Sequence, residues 1–414
     1  METTDMLEPV DLIRTHQSSG RSFLHNIMGA VDPEVSGKGQ WITSRDGSRY
    51  LDVGSFGVFL LGHGHPGPVG AVARQLDLMA GASRTLPNPV NARAAAALAG
   101  AAPPGLSKVL LLNSGSEAVE AALKLARART GRTPLAHLSG SFHGKSTGAL
   151  SLTDARAFRQ GIGPLLPEVV RLPRDDAAVA ADLIERHRPA AVFAEPVQGE
   201  GGMYPLEREY AAVLREACTR SGSLLVFDEI QSGLGRCGTL WAHEGLGVLP
   251  DILLSGKALG GGVMPASAVI ATEDAFRPYD LDPLLHTSTF GGNPLASAAV
   301  LGALEVIAEL DVPTKVRRAG ESLREILDRL VSHWPTLFSA VTGRGLMLGL
   351  HCRKADVTAE LMRESLTEGV LLTMCLTTPT VLRLTPSAFI DADELEFLGR
   401  RLDIAAARVE RELA

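Results

Sequence analysis

The chain has 414 residues, 45% of them hydrophobic, and a formal net charge of −7. That length exceeds one ordinary core and predicts two domains, or a large α/β domain with an appendage. The negative charge argues against nonspecific nucleic-acid binding, and no apolar run is long enough to span a bilayer. Cys218, Cys237, Cys352 and Cys375 are scattered without disulfide or metal spacing, so reduced thiols are expected. The acidic start, residues 1–9, lacks a signal-peptide profile. A cytoplasmic protein is expected from these features.

In chain order, residues 1–60 read as an entry segment with strands at 40–43 and 49–52 around the turn Asp46, Gly47. GHGHP at 62–66 brings His63 and His65 close in sequence. Two histidines without a neighbouring cysteine or acid make a poor ligand set, and a turn is expected there rather than a metal site. A strand at 107–112 leads into NSGSE at 113–117 and a helix to about residue 129, with Val119, Ala122, Leu123 and Ala126 on one face. Ser114 and Glu117 have capping-box spacing. Free N–H groups and the helix dipole make this start, with Ser114, Gly115 and Ser116, a candidate phosphate cradle. By itself the motif would mean only a well-capped helix. GSFHGKS at 140–146 falls one residue short of a Walker A loop, but it supplies an aromatic, Phe142, able to stack on a flat ring.

Three apolar runs then end in polar residues: 190–194 in Glu195, 224–227 in Asp228, and 252–254 in Lys257 after a serine and a glycine. Open α/β sheets bind ligands at the carboxyl edge of their strands. A buried aspartate needs a cation or a strong donor. Burial lowers a lysine's pKa, which suits a Schiff-base lysine. The glycines at 260–262 let the backbone turn close to something bulky. Pyridoxal phosphate accounts for all the parts together: Lys257 for its aldehyde, Asp228 for its ring nitrogen, the helix start for its phosphate. GLGRCG at 233–238 fits a dinucleotide pattern, but residues 228–231 separate it from the strand and no helix is expected to follow, so nucleotide binding is rejected. An apolar helix at 296–310 links to a last region where Arg383 sits between apolar neighbours at 381–386, followed by a charged helix from 391. An arginine so placed needs an anionic partner, either a structural acid or a substrate carboxylate.

NSGSE at 113–117, FHG at 142–144, EPVQGEG at 195–201, FDEIQSG at 227–233, the Lys257 segment and TSTFGGNP at 287–294 together resemble the class III (ω) aminotransferases, in order and over most of the chain. The resemblance implies an α/β, fold-type I pyridoxal-phosphate transferase. A large domain with a mostly parallel sheet would span 61–294. A small α+β domain would combine 295–414 with the N-terminal segment 1–60. It implies Lys257 as the Schiff-base lysine, Asp228 as partner of the pyridine nitrogen, and Gln231 at the ring hydroxyl. Ser114, Gly115, Ser116, Phe142, His143 and Glu195 would lie around the cofactor. Ser288 and Thr289 would reach the phosphate of the neighbouring subunit, so the site would require a homodimer. Arg383 resembles the arginine that grips a substrate α-carboxylate, and Glu200 its partner when that carboxylate is absent.

The likeness is nearest to the putrescine aminotransferase-like group. Lys145 stands where ornithine and acetylornithine enzymes carry an arginine, and Phe56 replaces a polar aromatic. Both departures point to a terminal amine such as putrescine or cadaverine, or a related biosynthetic amine, with 2-oxoglutarate or pyruvate as acceptor. An ornithine-, acetylornithine- or 4-aminobutyrate-type enzyme, a same-fold aminomutase and a silent pyridoxal-phosphate protein remain as alternatives.

Overall fold

The computed structural model describes residues 8–413; the start of the acidic N-terminus, 1–7, lies outside them. A seven-stranded sheet forms the centre. Its spatial order is Leu106–Leu112, Ser267–Thr272, Ile252–Ser255, Leu224–Asp228, Ala191–Ala194, Leu135–Leu138, Val169–Leu172. Ser267–Thr272 runs antiparallel to both neighbours, and the other direct pairings are parallel. The central strands are buried along their whole length, as helices on both faces of a parallel sheet require. Alternate residues go to opposite cores. Leu225, Phe227 and Leu253 pack on one side. Leu224, Val226, Ile252 and Leu254 pack on the other, with Val119, Ala122 and Ala126 of helix Gly115–Thr130.

The strand register positions the site. Asp228 pairs with Leu254, and Phe227 with Ala194. Glu195 and Lys257, which follow those neighbouring strands, therefore emerge beside Asp228 at one carboxyl edge.

A second, antiparallel sheet has the order Phe338–Arg344, Met347–Cys352, Val381–Leu384, Thr373–Met374. Arg383 lies opposite Gly349 in it. Helices Val312–His333 and Ala392–Leu413 contact one another, and the first also packs on Phe338–Arg344 and Met347–Cys352. The N-terminal strands Glu34–Lys38, Trp41–Ser44 and Arg49–Asp52 join the C-terminal pair Val370–Leu371, whose Val370 is partner to Leu51. Helix Pro294–Glu309 packs on Pro66–Leu78 and Pro89–Gly100. A Cβ at Gly302 would come within 2.9 Å of Pro68 Cα, so only glycine permits that approach.

Strands Leu135–Leu138, Val169–Leu172 and Ser267–Thr272 were not individually marked by the sequence reading. They are short, and the last mixes Ser, Ala and Thr with Val and Ile. Their identity as strands comes from the long-range pairings. His63 and His65 have structural partners: His63 Nε2 lies 2.8 Å from Asp52 Oδ2, and His65 Nδ1 accepts from Gly67 N at the start of Pro66–Leu78. Among the described residues no helix is long and apolar enough to cross a membrane, and no group of three His, Cys, Asp or Glu could hold a metal ion.

Candidate active site

A cavity of about 510 Å³ opens at the carboxyl edge of the large sheet; Lys257, Asp228, Glu195 and Glu200 all line it. Lys257 sits half-buried in a short 3-10 turn with φ of +47°, a conformation that a non-glycine residue holds only when its surroundings impose it. Burial pushes Lys257 down to about 8; the Glu200 carboxylate opposes that shift without cancelling it. With its amide oxygen turned toward these donors, Gln231 accepts from Lys257 Nζ and from Arg383 Nη1, each at 3.2 Å.

Asp228 is held from two sides. His143 Nδ1 lies 2.7 Å from Oδ2, and Ile230 N donates to Oδ1 at 3.1 Å. Burial opposes the charged His143 ring, but the hydrogen bond and charge of Asp228 outweigh it, and the net direction is up. The other ring nitrogen, His143 Nε2, is buried without a partner. Glu195 accepts from Phe142 N at 2.9 Å and from Gly199 N at 3.1 Å. Burial pushes its carboxyl up to about 7, and the nearby Asp228 adds to the rise. Glu195 thereby ties the Phe142 loop to the turn that carries Glu200.

Opposite, helix Gly115–Thr130 begins with a complete capping box. Glu117 N donates to Ser114 Oγ at 3.3 Å, and Glu117 Oε2 accepts from Ser114 N at 3.2 Å and from Asn113 N at 2.7 Å. The first N–H groups, at Gly115 and Ser116, have no helical acceptor. Ser116 Oγ accepts from Lys145 N at 3.3 Å, joining the helix start to the Phe142 loop.

Arg383, fully buried, forms a forked pair with Glu200 at 2.6 and 2.8 Å and donates to Met374 O at 2.9 Å. Leu376 N donates to the same carboxylate at 2.8 Å. Arg383 stands behind Glu200 and Gln231, and the Phe56 ring lies 4.7 Å from its guanidinium carbon.

The cavity wall thus brings together Ser114, Gly115, Ser116, Phe142, His143, Glu195, Glu200, Asp228, Gln231 and Lys257. Five expected residues stand apart from it: Arg383, which lies behind Glu200, and four others. Phe56 is 44% exposed, and its ring meets the site through Arg383. Lys145 is exposed, with Nζ 3.9 Å from the centre of the Phe158 ring. Ser288 Oγ accepts from Asn113 Nδ2 at 2.9 Å. Thr289 lines an adjoining hollow of about 900 Å³ that shares Asn113, Met264 and Pro265 with the Lys257 cavity. Val58, Ile230, Met264 and Pro265 also form the wall; the sequence reading missed them. The glycine cluster at 260–262 was the available signal for Met264 and Pro265, because it announced a close approach whose far side they supply.

The chemistry of this donor set fits pyridoxal phosphate. One lysine of lowered pKa faces a firmly held carboxylate across a cavity of suitable size, an unpartnered buried imidazole nitrogen lies beside them, and a helix start with free N–H groups closes the other end. A larger groove of about 880 Å³ beside helices Val312–His333 and Ala392–Leu413 carries no comparable set.

The sequence profile described as Aminotransferase class-III matches residues 31–405. Among solved structures, an ornithine aminotransferase from Toxoplasma gondii, whose description places PLP at its active site, superposes with a TM-score of 0.86 at 29% identity, covering 95% of each chain. An (S)-enantioselective omega-transaminase from Thermomicrobium roseum superposes with a TM-score of 0.84 at 27% identity, covering 91% of this chain and 93% of its own. A transaminase from a marine Virgibacillus shares the fold at 24% identity with a TM-score of 0.86, covering 92% of this chain and 94% of its own.

Proposed function

The chain belongs to the class III aminotransferases, enzymes that use pyridoxal phosphate, and from that premise we propose that it moves an amino group from a terminal diamine, such as putrescine or cadaverine, to an oxo acid such as 2-oxoglutarate or pyruvate. The observation that carries the donor assignment is the occupied Arg383. With Glu200 forked onto it, Lys257 is the only lysine or arginine among the described residues that line the cavity, where Glu195, Glu200 and Asp228 also form part of the wall. A donor with a second ammonium meets a wall whose ionisable groups besides Lys257 are mostly acids, whereas a donor with a second carboxylate finds no free guanidinium. Lys145, turned onto Phe158, supplies no substitute.

Pyridoxal phosphate supplies the electron sink that makes the carbon next to the amine acidic. Lys257 would hold the cofactor and would carry the transferred proton on Nζ; its lowered pKa keeps a working share of it neutral near pH 8. Asp228, fixed by His143 and Ile230 N, would keep the ring nitrogen protonated. The N–H groups of Gly115 and Ser116, with Ser114, would hold the phosphate. Phe142 would pack on a ring face, and Gln231 would meet the ring hydroxyl. In the second half of the cycle Glu200 swings off Arg383, which then grips the carboxylate of the oxo acid. Ser288 and Thr289 would complete the phosphate site of a partner subunit in a homodimer. Four free cysteines support a cytoplasmic setting.

The donor assignment is tested by mixing purified holoenzyme, without acceptor, with putrescine, cadaverine, ornithine, acetylornithine or 4-aminobutyrate and following loss of the cofactor's visible absorbance. Faster conversion by the diamines is expected. A strong preference for ornithine overturns the donor assignment.

A further inference from the structure

The glycine-rich loop at 233–238 follows Gln231 and carries one polar side chain that the chemistry above does not use. Arg236 is fully buried, yet it has no carboxylate partner. It donates instead to three backbone carbonyls from three distant segments: Leu346 O at 3.2 Å, Gly57 O at 3.4 Å, and Pro386 O. Its own carbonyl accepts from Leu346 N at 3.1 Å. Burial pushes its pKa down only to about 10, so the side chain stays charged at neutral pH. A buried cation with no carboxylate in contact and only the Asp52 charge nearby is costly, and an apolar side chain of equal volume would serve packing alone at lower cost.

Each of the three carbonyls adjoins the carboxylate grip. Gly57 follows Phe56, whose ring lies 4.7 Å from the Arg383 guanidinium carbon. Pro386 ends the run that begins with strand Val381–Leu384, on which Arg383 sits. Leu346 leads into Met347–Cys352, the strand that places Gly349 opposite Arg383. The loop itself hangs from Gln231, which accepts from both Lys257 and Arg383. One planar fork therefore joins the cofactor side of the cavity to three segments that surround Arg383. A lysine ammonium, compact and on a flexible stem, lacks that fork.

We propose that Arg236 is a positioning residue that sets where Arg383 and Phe56 stand relative to Lys257, and so governs affinity for the carboxylate-bearing acceptor rather than for the amine donor. The inference rests on Arg383 being the carboxylate grip.

Holoenzyme carrying Arg236→Lys, which keeps the charge, and Arg236→Met, which keeps the volume, is compared with wild type and Arg383→Gln. Three quantities are read: calorimetric Kd for glutarate, KM for 2-oxoglutarate, and the rate of the half-reaction with putrescine. Arg236→Lys is expected to weaken glutarate and raise the KM about tenfold, the loss of one or two charge-assisted hydrogen bonds, with the putrescine half-reaction within about threefold. Arg236→Met, if it folds, is expected to do the same more strongly. If Arg383→Gln weakens glutarate while Arg236→Lys leaves it within about twofold, or if Arg236→Lys slows both half-reactions equally, the positioning role is overturned and the grip survives. If Arg383→Gln leaves glutarate unchanged, the grip itself fails and the role of Arg236 falls with it.

Discussion

Two parts of the cavity are built in opposite ways. Lys257, Asp228 and Glu195 emerge from adjacent strands of one buried sheet, and the parallel register that aligns Asp228 with Leu254 is the same register that makes the core. The Arg383 end is assembled from separate pieces: a strand of the second sheet, the turn bearing Glu200, the Phe56 loop and the carbonyl of Met374. The first cannot shift without disturbing the fold. On the proposed function, the second changes partners while the fold stays intact. Reaction chemistry therefore sits where the molecule is most constrained, and substrate choice where independent segments meet.

Substitutions at the two ends should separate them. Lys257→Ala is expected to lower turnover by more than about 10⁴-fold and to abolish the visible absorbance of the bound cofactor, with both substrates affected alike. An absorbance spectrum and one steady-state assay check it, and a variant that still turns over breaks the comparison at its strongest point. Arg383→Gln should act on one substrate only. The KM for 2-oxoglutarate should rise about 100-fold while the putrescine half-reaction changes little. Stability should fall by about 3 kcal/mol, because Glu200 is left buried without its partner. Chemical denaturation and separate half-reaction rates read both effects.

A third test uses pH. Folding lowers the pKa of Lys257 from 10.5 to about 8. Between those values the unfolded chain binds a proton that the folded chain has released, so stability rises with pH across that window, and below it the full penalty applies. In cofactor-free protein, Lys257→Met should therefore gain stability over wild type at pH 7. The gain should shrink as pH approaches 10.5, as followed by urea denaturation at several pH values. A gain that does not change with pH would mean the lysine's charge is not what the fold resists. The smallest effect is expected at Lys145, which lies outside both ends of the cavity: Lys145→Ala should change kcat/KM for putrescine by less than about threefold, since an exposed cation–π contact is worth about 0.5–1 kcal/mol. A large loss would move Lys145 into the donor site and sharpen the boundary drawn here.

The same contrast explains what could be read from residue order alone. Glu195, Asp228 and Lys257 announced themselves because an apolar run ending in a charge is a local pattern, and burial of the run implies burial of the charge. The capping box at Ser114 and Glu117 is equally local. Arg236 was invisible as more than part of a rejected glycine motif, because its partners are carbonyls of Gly57, Leu346 and Pro386, and a carbonyl leaves no mark on residue identity. The reversed direction of Ser267–Thr272 was unreadable for a similar reason: direction belongs to the pairing with Leu106–Leu112 and Ile252–Ser255, not to composition. Lys145 kept its place in the motif, but its contact with Phe158 depends on a loop that the motif does not include.

The central claim is that one lysine, at the end of strand Ile252–Ser255, holds the cofactor. Reducing the holoenzyme with borohydride, digesting it and mapping the pyridoxyl adduct by mass spectrometry tests this directly. The account predicts the added mass on the peptide containing Lys257 and on no other. An adduct on any other lysine, or recovery of an unmodified Lys257 peptide from fully loaded enzyme, would contradict it.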